Sequence, residues 1–324
     1  MRLLLRCDGS TAIGHGHLAR AVALGQAARR REHQVSFAVR PDRVASAFPR
    51  RFGFEVRDAH DALEWLTPGT DWVVLDGYAF DGALVRAIRA EGARVCQVDD
   101  LGEVLPADLV VNPNLFAPPR PGPGFLYGAG FALLREEFAQ LRAAQPARPK
   151  GPPRLLVIFG GSDPLGMTRR VLAAISNAKD LAAIVAVVGG SHPDLEGVRA
   201  VARESAVPVT LLQSSDEIAT LMAGSHAAIS AAGTTALELM CLGVPSILYA
   251  VAQNQAQLGP AGAALGACVD LGQARDFDAK RLREALTRIL EPDQAARIGA
   301  AGQAAVDGLG AQRVVEAMEA ANGR

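Results

Sequence analysis

Short apolar runs alternate with longer segments of helical periodicity along the whole chain. In the first half, five runs rich in apolar residues predict short buried strands. These runs are 3–5, 35–39, 72–75, 95–98 and 109–111. Between the first two runs, residues 18–30 have apolar positions at helical spacing and predict a helix. Such alternation is typical of βαβ units, so we expect a parallel sheet.

The second half of the chain repeats this pattern. Six further apolar runs predict strands at 155–159, 184–188, 209–212, 227–230, 246–249 and 268–271. Helical patterns predict three closing helices at 278–290, 295–307 and 311–321. Ser214 and Glu217 have the spacing of a capping box, which predicts the start of a helix over 215–223.

A proline-rich segment separates the two halves. Residues 145–153 have the sequence QPARPKGPP, with four prolines in nine residues. Proline interrupts helices and sheet interiors, so this segment predicts a linker. We therefore expect an N-terminal Rossmann-like domain over 1–144 and a second α/β domain over 154–310.

Two doubly wound α/β domains joined by a short linker predict a cleft between them. Ligands of open parallel sheets bind at the carboxyl ends of the strands. We therefore expect an α/β protein whose two Rossmann-like domains face each other across a ligand-binding cleft.

Charge and apolar run length exclude several classes of partner. Lys and Arg total 33 and Asp and Glu total 34, so no electrostatic feature predicts a nucleic acid or an acidic membrane as partner. No apolar run approaches the roughly 20 residues of a membrane span, and the first run is too short for a signal peptide. We expect a cytoplasmic protein; its oligomeric state stays open, and a monomer is compatible with the sequence.

The four cysteines are spaced too widely for a zinc site or a disulfide framework. They are Cys7, Cys96, Cys241 and Cys268. Most lie within apolar stretches, so we expect buried free thiols.

The loop after the first predicted strand carries candidate chemistry. Gly14 and Gly16 leave backbone N–H groups open to an anion where a helix begins. His17 falls in the first helical turn, where it can accept a proton near neutral pH. A glycine-rich turn with a capping histidine is the alternative. A dinucleotide fingerprint is disfavoured, because eight residues separate the run 3–5 from Gly14.

Two motifs in the second half predict a nucleotide site. FGGSDP places Gly161 and Ser162 in a donor-rich turn after a strand, although a plain turn is the alternative. In SAAGTTALELMCLGVP, a helix begins near Thr234 after a loop of small residues. Its dipole and the N–H groups around Gly233, with the hydroxyls of Thr234 and Thr235, suit a diphosphate.

Three polar residues extend the predicted nucleotide site. Glu238 lies four residues after Thr234 on the same helical face and can accept both hydroxyls of a ribose. The alternative is an exposed glutamate in the first turn. Asn254 and Gln255 follow the next strand and can bind sugar hydroxyls or phosphate, or they are ordinary loop residues.

The first loop resembles the opening of the UDP-sugar hydrolases of pseudaminic acid biosynthesis and of their spore-coat relatives. The matching pattern R-x-D-x-S…IG-x-GH-x-x-R comprises Arg6, Asp8, Ser10, Ile13, Gly14, Gly16, His17 and Arg20. Further segments agree in order: DGY at 76–78, VDD at 98–100, DLVVNPN at 108–114, FALLREEF at 131–138, then FGGSDP, AGTT-x-x-E and NQ. The resemblance thus covers most of the chain in short islands. Gly77, Phe131 and Gln253 depart from it at positions near the expected sugar.

The resemblance implies a GT-B fold, with UDP held by the C-terminal domain, and no metal or other cofactor. It also implies that the helix within 311–324 crosses back to the first domain. Catalytic roles are implied for His17, Tyr78 and Asp8. Substrate-binding roles are implied for Gly14, Gly16, Arg20, Gly161, Ser162, Leu212, Ile218, Gly233, Thr234, Thr235, Glu238, Asn254 and Gln255, with Leu212 and Ile218 beside the uracil.

The reaction that this resemblance predicts is the hydrolysis of a UDP-2,4-diacetamido-2,4,6-trideoxy sugar. His17 deprotonates water, which attacks the anomeric carbon with inversion of configuration. Two alternatives stay open. A GT-B glycosyltransferase uses the same UDP site but passes the sugar to an acceptor, and a non-catalytic subunit only binds the nucleotide sugar.

Overall fold

The computed structural model describes residues 1–9, 16–60, 63–122, 124–145, 149–190 and 192–323. It divides into two compact units. The first comprises Met1–Glu136 together with Gly308–Arg324, and the second comprises Glu137–Asp307. Each unit contains one parallel β-sheet with helices, which confirms the predicted two-domain α/β class.

The first unit contains a parallel sheet of seven strands. The strands are β1 (Arg2–Cys7), β2 (Gln34–Val39), β3 (Glu55–Asp58), β4 (Trp72–Asp76), β5 (Arg94–Val98), β6 (Leu109–Asn112) and β7 (Phe125–Tyr127). Three helices lie between them: α1 (Gly16–Arg30), α2 (Arg43–Arg51) and α3 (Gly82–Ala90). The five strands predicted for this half are confirmed. β3 and β7 were not predicted, because these edge strands lack the fully buried apolar run that marks the others.

The order of strands in this sheet is β3-β2-β1-β4-β5-β6-β7. The chain moves from β1 to one edge through β2 and β3, and then returns to the other side of β1 with β4. The boundary between β1 and β4 is therefore the topological switch point, where open α/β sheets bind ligands at the carboxyl ends of their strands.

Alternation along β1 supplies two hydrophobic cores, one on each face of the sheet. Leu3 and Leu5 belong to the core that contains Leu18 of α1. Leu4 belongs to a second core with Val85 and Ile88 of α3. Burial on both faces explains why the strand is apolar throughout instead of alternating with polar residues.

Helix α4 (Glu136–Ala144) lies at the junction of the two units, and the second unit follows with a parallel sheet of six strands. These strands are β8 (Arg154–Ile158), β9 (Ala183–Val188), β10 (Val209–Gln213), β11 (Ala227–Ala231), β12 (Ser246–Ala250) and β13 (Val269–Gln273). All six were predicted. Their order is β10-β9-β8-β11-β12-β13, so the switch point of this sheet lies between β8 and β11.

Helices connect most of the strands of the second unit and follow its last strand. They are α5 (Met167–Ile175), α6 (Leu195–Glu204), α7 (Ile218–Ala223), α8 (Thr234–Leu242), α9 (Leu258–Ala264), α10 (Ala279–Ile289) and α11 (Pro292–Ala305). Gly243 ends α8 in a left-handed conformation with φ of 70°, as the GVP sequence predicts. No helix in the described part of the chain is long and apolar enough to cross a membrane.

Two helix boundaries differ from the prediction. The helix predicted over 215–223 begins only at Ile218, and its N-cap, Glu217, makes no side-chain capping bond. Ser214 has a φ of 64°, and the Ser215 hydroxyl accepts the N–H of Glu217 at 3.1 Å, so a local turn replaces the capping box. The helix α11 begins before the predicted residue 295, because Pro292 occupies its first turn.

The last helix, α12 (Gly310–Asn322), belongs to the first unit. Val314 and Met318 contribute to the same core as α1. Gly310 begins α12 against the backbone near Phe131, where an added Cβ would lie 2.4 Å from the Phe131 carbonyl carbon. Only glycine permits this approach without a shift. All four cysteines are buried free thiols, as expected.

Candidate functional site

Acidic side chains collect at the carboxyl ends of β1, β4 and β5. Asp8 follows β1, Asp76 ends β4, and Asp99 and Asp100 follow β5. Parallel strands present these ends at one edge of the sheet, and α1 begins beside them with His17 in its first turn. The arrangement surrounds the β1/β4 switch point with titratable groups.

His17 forms a buried pair with Asp76. The Nδ1 atom of His17 lies 2.6 Å from Asp76 Oδ1, and the two side chains are 7% and 1% exposed. An ionised carboxylate only accepts hydrogen bonds, so Nδ1 carries the proton and donates a hydrogen bond to Asp76. This tautomer places the lone pair of the imidazole on Nε2, the nitrogen that can take a proton from a nucleophile.

Arg20 binds the same carboxylate from one helical turn further along α1. Its Nε lies 3.1 Å from Asp76 Oδ2 and its NH2 lies 2.6 Å from Asp76 Oδ1. The remaining nitrogen, NH1, donates to Asp100 Oδ2 at 2.9 Å. Arg20 NH2 also lies 2.8 Å from His17 Nδ1, because both nitrogens approach one oxygen of Asp76. The guanidinium, predicted to bind substrate, is thus held between two carboxylates.

The charge of Asp76 depends on these two partners. Burial alone raises the pKa of a carboxyl group, but the Arg20 guanidinium and His17 more than offset this and hold the pKa of Asp76 below its ordinary value. Burial lowers the pKa of Arg20, and Asp76 and Asp100 reverse that effect, so the guanidinium stays charged. Asp76 is therefore held in its charged form beside His17.

Tyr78 covers one side of this cluster. Its ring meets that of His17 edge to face, with centroids 4.8 Å apart and planes at 82°. Its hydroxyl donates to Asp100 Oδ2 at 3.2 Å. Tyr78 is 48% exposed, so its phenol lies at the surface directly beside the buried His17.

Asp8 lies on the other side of the β1/β4 boundary. Its Oδ1 accepts a hydrogen bond from Arg6 NH1 at 3.0 Å, and its backbone N–H donates to the Asp76 carbonyl at 3.1 Å. An added Cβ at Gly77 would lie 2.6 Å from Asp8 Oδ2. A side chain at position 77 would therefore clash with the Asp8 carboxylate. Gly77, one of the departures from the resembled pattern, avoids this clash.

The glycine loop is only partly described. Gly16 begins α1. Gly14 lies outside the described residues, so its predicted anion-binding role stays a prediction.

The second switch point brings together most of the predicted nucleotide-binding residues. Gly161 and Ser162 follow β8, and Gly233 follows β11 as the N-cap of α8. Thr234 and Thr235 open α8, whose first N–H groups have no partners within the helix. This helix N-terminus is the anion-binding feature that the sequence predicts.

Gln255 is held against the start of α8. Its Oε1 accepts the N–H of Val251 at 3.0 Å. Its Nε2 lies 3.2 Å from the position that a Cβ on Gly233 would occupy. Asn254, in the same short 3-10 helix, is exposed. Gln255 thus adds an amide donor beside the α8 terminus.

Glu238 lies one turn further along α8 and is only 7% exposed. The alternative of a surface glutamate is therefore wrong, and the ribose interpretation stays a prediction. Leu212 and Ile218 flank the turn after β10, and both are half-buried. Because β10 is the edge strand, this turn lies two strands away from the β8/β11 switch point.

The aspartate of FGGSDP fixes the loop after β8. Asp163 Oδ1 and Oδ2 accept the N–H groups of Met167 and Thr168, each at 2.8 Å, and so cap α5. The buried His192 lies 3.4 Å from Asp163 Oδ2. An added Cβ at Gly189 would lie 1.7 Å from the Gly161 carbonyl oxygen, so the loops after β8 and β9 touch.

Two residues of the first cluster were not predicted as site residues. Asp76 was noted only as part of the DGY segment, and Asp100, in the VDD segment, as a strand end that serves either the fold or the sugar site. Their one sequence signal is an acidic residue at the end of an apolar strand. Among the described residues, no group of three His, Cys, Asp or Glu side chains is arranged to hold a metal ion.

Sequence comparison finds proteins that are similar to this chain over part of their length. No protein-family model matches the chain. The chain is 28% identical over 195 residues, 59% of its length, to the spore coat polysaccharide biosynthesis protein SpsG of Bacillus subtilis. It is 24% identical over 277 residues, 79% of its length, to an uncharacterized protein of Methanocaldococcus jannaschii. In each case the match spans 57% of the relative's own length.

Solved structures match across almost the entire chain. Acinetobacter baumannii MurG superposes with a TM-score of 0.74 at 14% identity, over 99% of this chain and all of that one. The spinosyn rhamnosyltransferase SpnG complexed with thymidine diphosphate superposes with a TM-score of 0.67 at 15% identity, over 98% of this chain and all of that one. The chain therefore has the two-domain α/β fold of GT-B glycosyltransferase structures.

Proposed function

We propose that the chain binds a UDP-sugar and transfers the sugar to an acceptor hydroxyl, with His17 as general base. The observation that carries this proposal is the buried His17–Asp76 pair at the β1/β4 switch point, with Nδ1 bound and Nε2 left to take a proton. The GT-B fold and the glycosyltransferases that share it support an acceptor hydroxyl as nucleophile. SpsG, whose name assigns it to polysaccharide biosynthesis, is consistent with this.

The proposed step is a single displacement. The acceptor O–H gives its proton to His17 Nε2, and its oxygen attacks the anomeric carbon. The bond from that carbon to the diphosphate oxygen breaks, UDP leaves with the electron pair, and the configuration inverts. Asp76 stabilises the imidazolium that forms, and general base catalysis of this kind contributes about 10²–10⁴-fold.

The second unit supplies the proposed UDP site. N–H groups at the start of α8 and the hydroxyls of Thr234 and Thr235 receive the diphosphate, where the helix dipole favours the charge that develops on leaving UDP. Gln255 donates beside them, and Glu238 accepts the ribose hydroxyls. The thymidine diphosphate bound by SpnG supports a nucleoside diphosphate as the ligand of this fold.

The remaining predicted residues complete the proposed site. Gly161, Ser162 and Asn254 contact the phosphates or sugar, and Leu212 and Ile218 lie against the uracil. In the first unit, Gly16 at the start of α1 contributes to the proposed sugar site, and Tyr78 and Asp8 border it. Arg20 keeps Asp76 charged and oriented.

Hydrolysis of the UDP-sugar is the second candidate. The specific observation that favours it is the resemblance of the Asp8–Arg20 segment to UDP-sugar hydrolases of pseudaminic acid biosynthesis. In this case His17 takes its proton from water, and the products are UDP and the free sugar. The same dyad serves either nucleophile.

Phosphorus NMR of the purified chain with a UDP-2,4-diacetamido-2,4,6-trideoxy sugar and with UDP-N-acetylglucosamine separates the candidates. Each donor is tested alone and with glycerol, rhamnose or N-acetylglucosamine as acceptor. UDP that forms only with an acceptor supports transfer, whereas UDP and free sugar without an acceptor support hydrolysis. UDP binding without release in any mixture contradicts both and indicates a binding subunit.

A further inference from the structure

A small cavity opens beside Tyr78, between the loops that follow β4 and β5. Its volume is about 30 Å³, and its lining includes Tyr78, Phe80, Asp99, Asp100 and Leu105. A buried water needs about 10–15 Å³ on this scale. The cavity therefore accommodates a substituent of two or three non-hydrogen atoms, and it is too small for a sugar ring.

The two oxygens of Asp99 have different environments. Oδ1 accepts three backbone N–H bonds, from Leu101 at 3.0 Å, Gly102 at 2.8 Å and Glu103 at 3.1 Å. Oδ2 is buried and has no hydrogen-bond partner among the described residues. The whole residue is 4% exposed. A buried carboxylate oxygen without a donor is costly, so this oxygen is suited to receive one from a ligand.

Several other polar groups around the cavity are already engaged. The Gln97 amide donates to the Glu103 carbonyl at 2.6 Å and accepts the N–H of Leu105 at 2.8 Å. Asp100 Oδ2 accepts from Arg20 and from Tyr78. Asp99 Oδ2 is therefore a buried acceptor that is open to an entering N–H or O–H group.

The cavity adjoins the His17 cluster through shared residues. Tyr78 lines the cavity and also touches the His17 ring, and Asp100 lines it and also binds Arg20. A sugar that binds beside His17 and Tyr78 therefore lies next to this cavity, which can take one of its substituents. The Phe80 and Leu105 side chains restrict that substituent to a small group.

We propose that this cavity is a specificity subsite, in which Asp99 Oδ2 accepts a hydrogen bond from an O–H or N–H substituent of the donor sugar. This inference rests on the proposed function, because the ligand is taken to be a UDP-sugar. Asp99 is then a residue that selects among sugars, and it takes no part in proton transfer at the anomeric carbon.

The test compares a sugar that carries hydroxyl donors with analogues that lack one. Calorimetry measures the binding of UDP, of UDP-glucose and of its 2-, 3-, 4- and 6-deoxyfluoro analogues to the full chain. A C–F group is close to a hydroxyl in size but donates no hydrogen bond. In the wild type, we expect one analogue to bind about 10- to 100-fold more weakly than UDP-glucose, while UDP affinity gives the baseline.

The Asp99→Asn variant should remove this discrimination. Its Oδ1 must still accept the three backbone N–H bonds, so its NH2 group replaces Oδ2 and meets the ligand donor with another donor. The sensitive analogue should then bind as well as UDP-glucose or better, with UDP affinity unchanged. Asp58→Asn, an exposed change in β3 of the same sheet, should retain the wild-type discrimination.

Three results would overturn the inference. If all four analogues bind like UDP-glucose in the wild type, the cavity holds only water. If the discrimination persists in Asp99→Asn, the substituent is recognised elsewhere. If Asp99→Asn only lowers the melting temperature and leaves the discrimination unchanged, Asp99 is purely structural. Absence of UDP binding in the wild type is a separate result, which contradicts the proposed function itself.

Discussion

The Nδ1 atom of His17 and the Oδ1 atom of Asp76 lie 2.6 Å apart although 59 residues separate them in the chain. The parallel order of β1 and β4 creates this contact, because α1 begins at the carboxyl end of β1 and Asp76 ends the neighbouring strand. An imidazole held in this way has a defined tautomer before substrate binds. The dyad is thus a product of the sheet topology, and the proposed catalysis by His17 depends on it.

Replacement of Asp76 by Asn should lower kcat about 10²–10⁴-fold, because the amide no longer fixes the His17 tautomer or stabilises the imidazolium. The affinity for UDP should change less than about twofold, since the proposed UDP site lies in the second unit. Steady-state kinetics and calorimetry measure the two effects. Asp58→Asn is the matched control. An Asp76→Asn variant with wild-type kcat would separate Asp76 from the mechanism.

Loss of Arg20 should destabilise the first unit. Its guanidinium is the partner of two nearly buried carboxylates, Asp76 and Asp100, and breaking such a pair costs about 3–5 kcal/mol. Urea denaturation of Arg20→Gln measures this loss. In the control Arg169→Gln, the lost pair with Asp194 is exposed, so a change of less than about 1 kcal/mol is expected. Equal stability of the two variants would show that the Arg20 cluster carries no net stabilisation.

Glu238→Gln should weaken the preference for a ribose over a deoxyribose. If Glu238 accepts the ribose hydroxyls, UDP binds the wild type about 10-fold more tightly than dUDP, and this ratio falls towards one in the variant. Calorimetry with the two nucleotides checks it. Glu284→Gln, an exposed change in α10 of the same unit, is the control. A wild type that binds both nucleotides equally would exclude Glu238 from the ribose site.

Glu319 should contribute to stability in a pH-dependent way. Hydrogen bonds from Arg31 lower the pKa of Glu319, burial opposes them, and a bond from His33 adds to the lowering, so that the pKa is about 2. A carboxyl with a depressed folded-state pKa stabilises the protein above its unfolded pKa, and this contribution is lost as the pH falls through the folded pKa. The difference in melting temperature between wild type and Glu319→Gln should therefore shrink to about half or less between pH 7 and pH 3. A difference that is constant over this range would contradict the assigned pairing.

Replacement of Gly310 by Ala should displace α12 from the first unit. The added Cβ meets backbone atoms near Phe131, which cannot move as a flexible side chain would, and overpacking of this kind costs about 1–3 kcal/mol. The measurement is urea denaturation. Gly323→Ala places its Cβ 3.8 Å from the nearest atom at the other end of the same helix and should change stability little. Equal stability of both variants would mean that α12 adjusts freely at its start.

The sequence predicted most of the fold because the central strands are buried on both faces. Runs such as Val73 to Leu75 are continuously apolar, and this signal survives without knowledge of the tertiary structure. Edge strands lack it: β3 is mostly exposed and β7 is half-buried, so neither forms a recognisable run. The capping-box prediction at Ser214 was wrong because spacing alone does not fix backbone conformation, and Ser214 adopts a positive φ.

The site was predictable only where its signal is local. His17 and the start of α8 stand out because glycines and small residues lie next to them in sequence. The partners of His17 and Arg20 come from strand ends far along the chain, at Asp76 and Asp100, and only the sheet order brings them together. Arg20 likewise matched a binding pattern, whereas its nitrogens bind two carboxylates within the fold.

The most direct test of the central claim is the rate of UDP release by wild type and His17→Asn, followed by phosphorus NMR with the donor and acceptor mixtures described above. Calorimetry with UDP on both proteins establishes that the nucleotide site is intact. The account predicts that the wild type releases UDP and that His17→Asn does so at a rate reduced at least about 10²-fold. The affinity for UDP should not change. A variant that binds UDP and releases it from the UDP-sugar at the wild-type rate would contradict the assignment of His17 as the base.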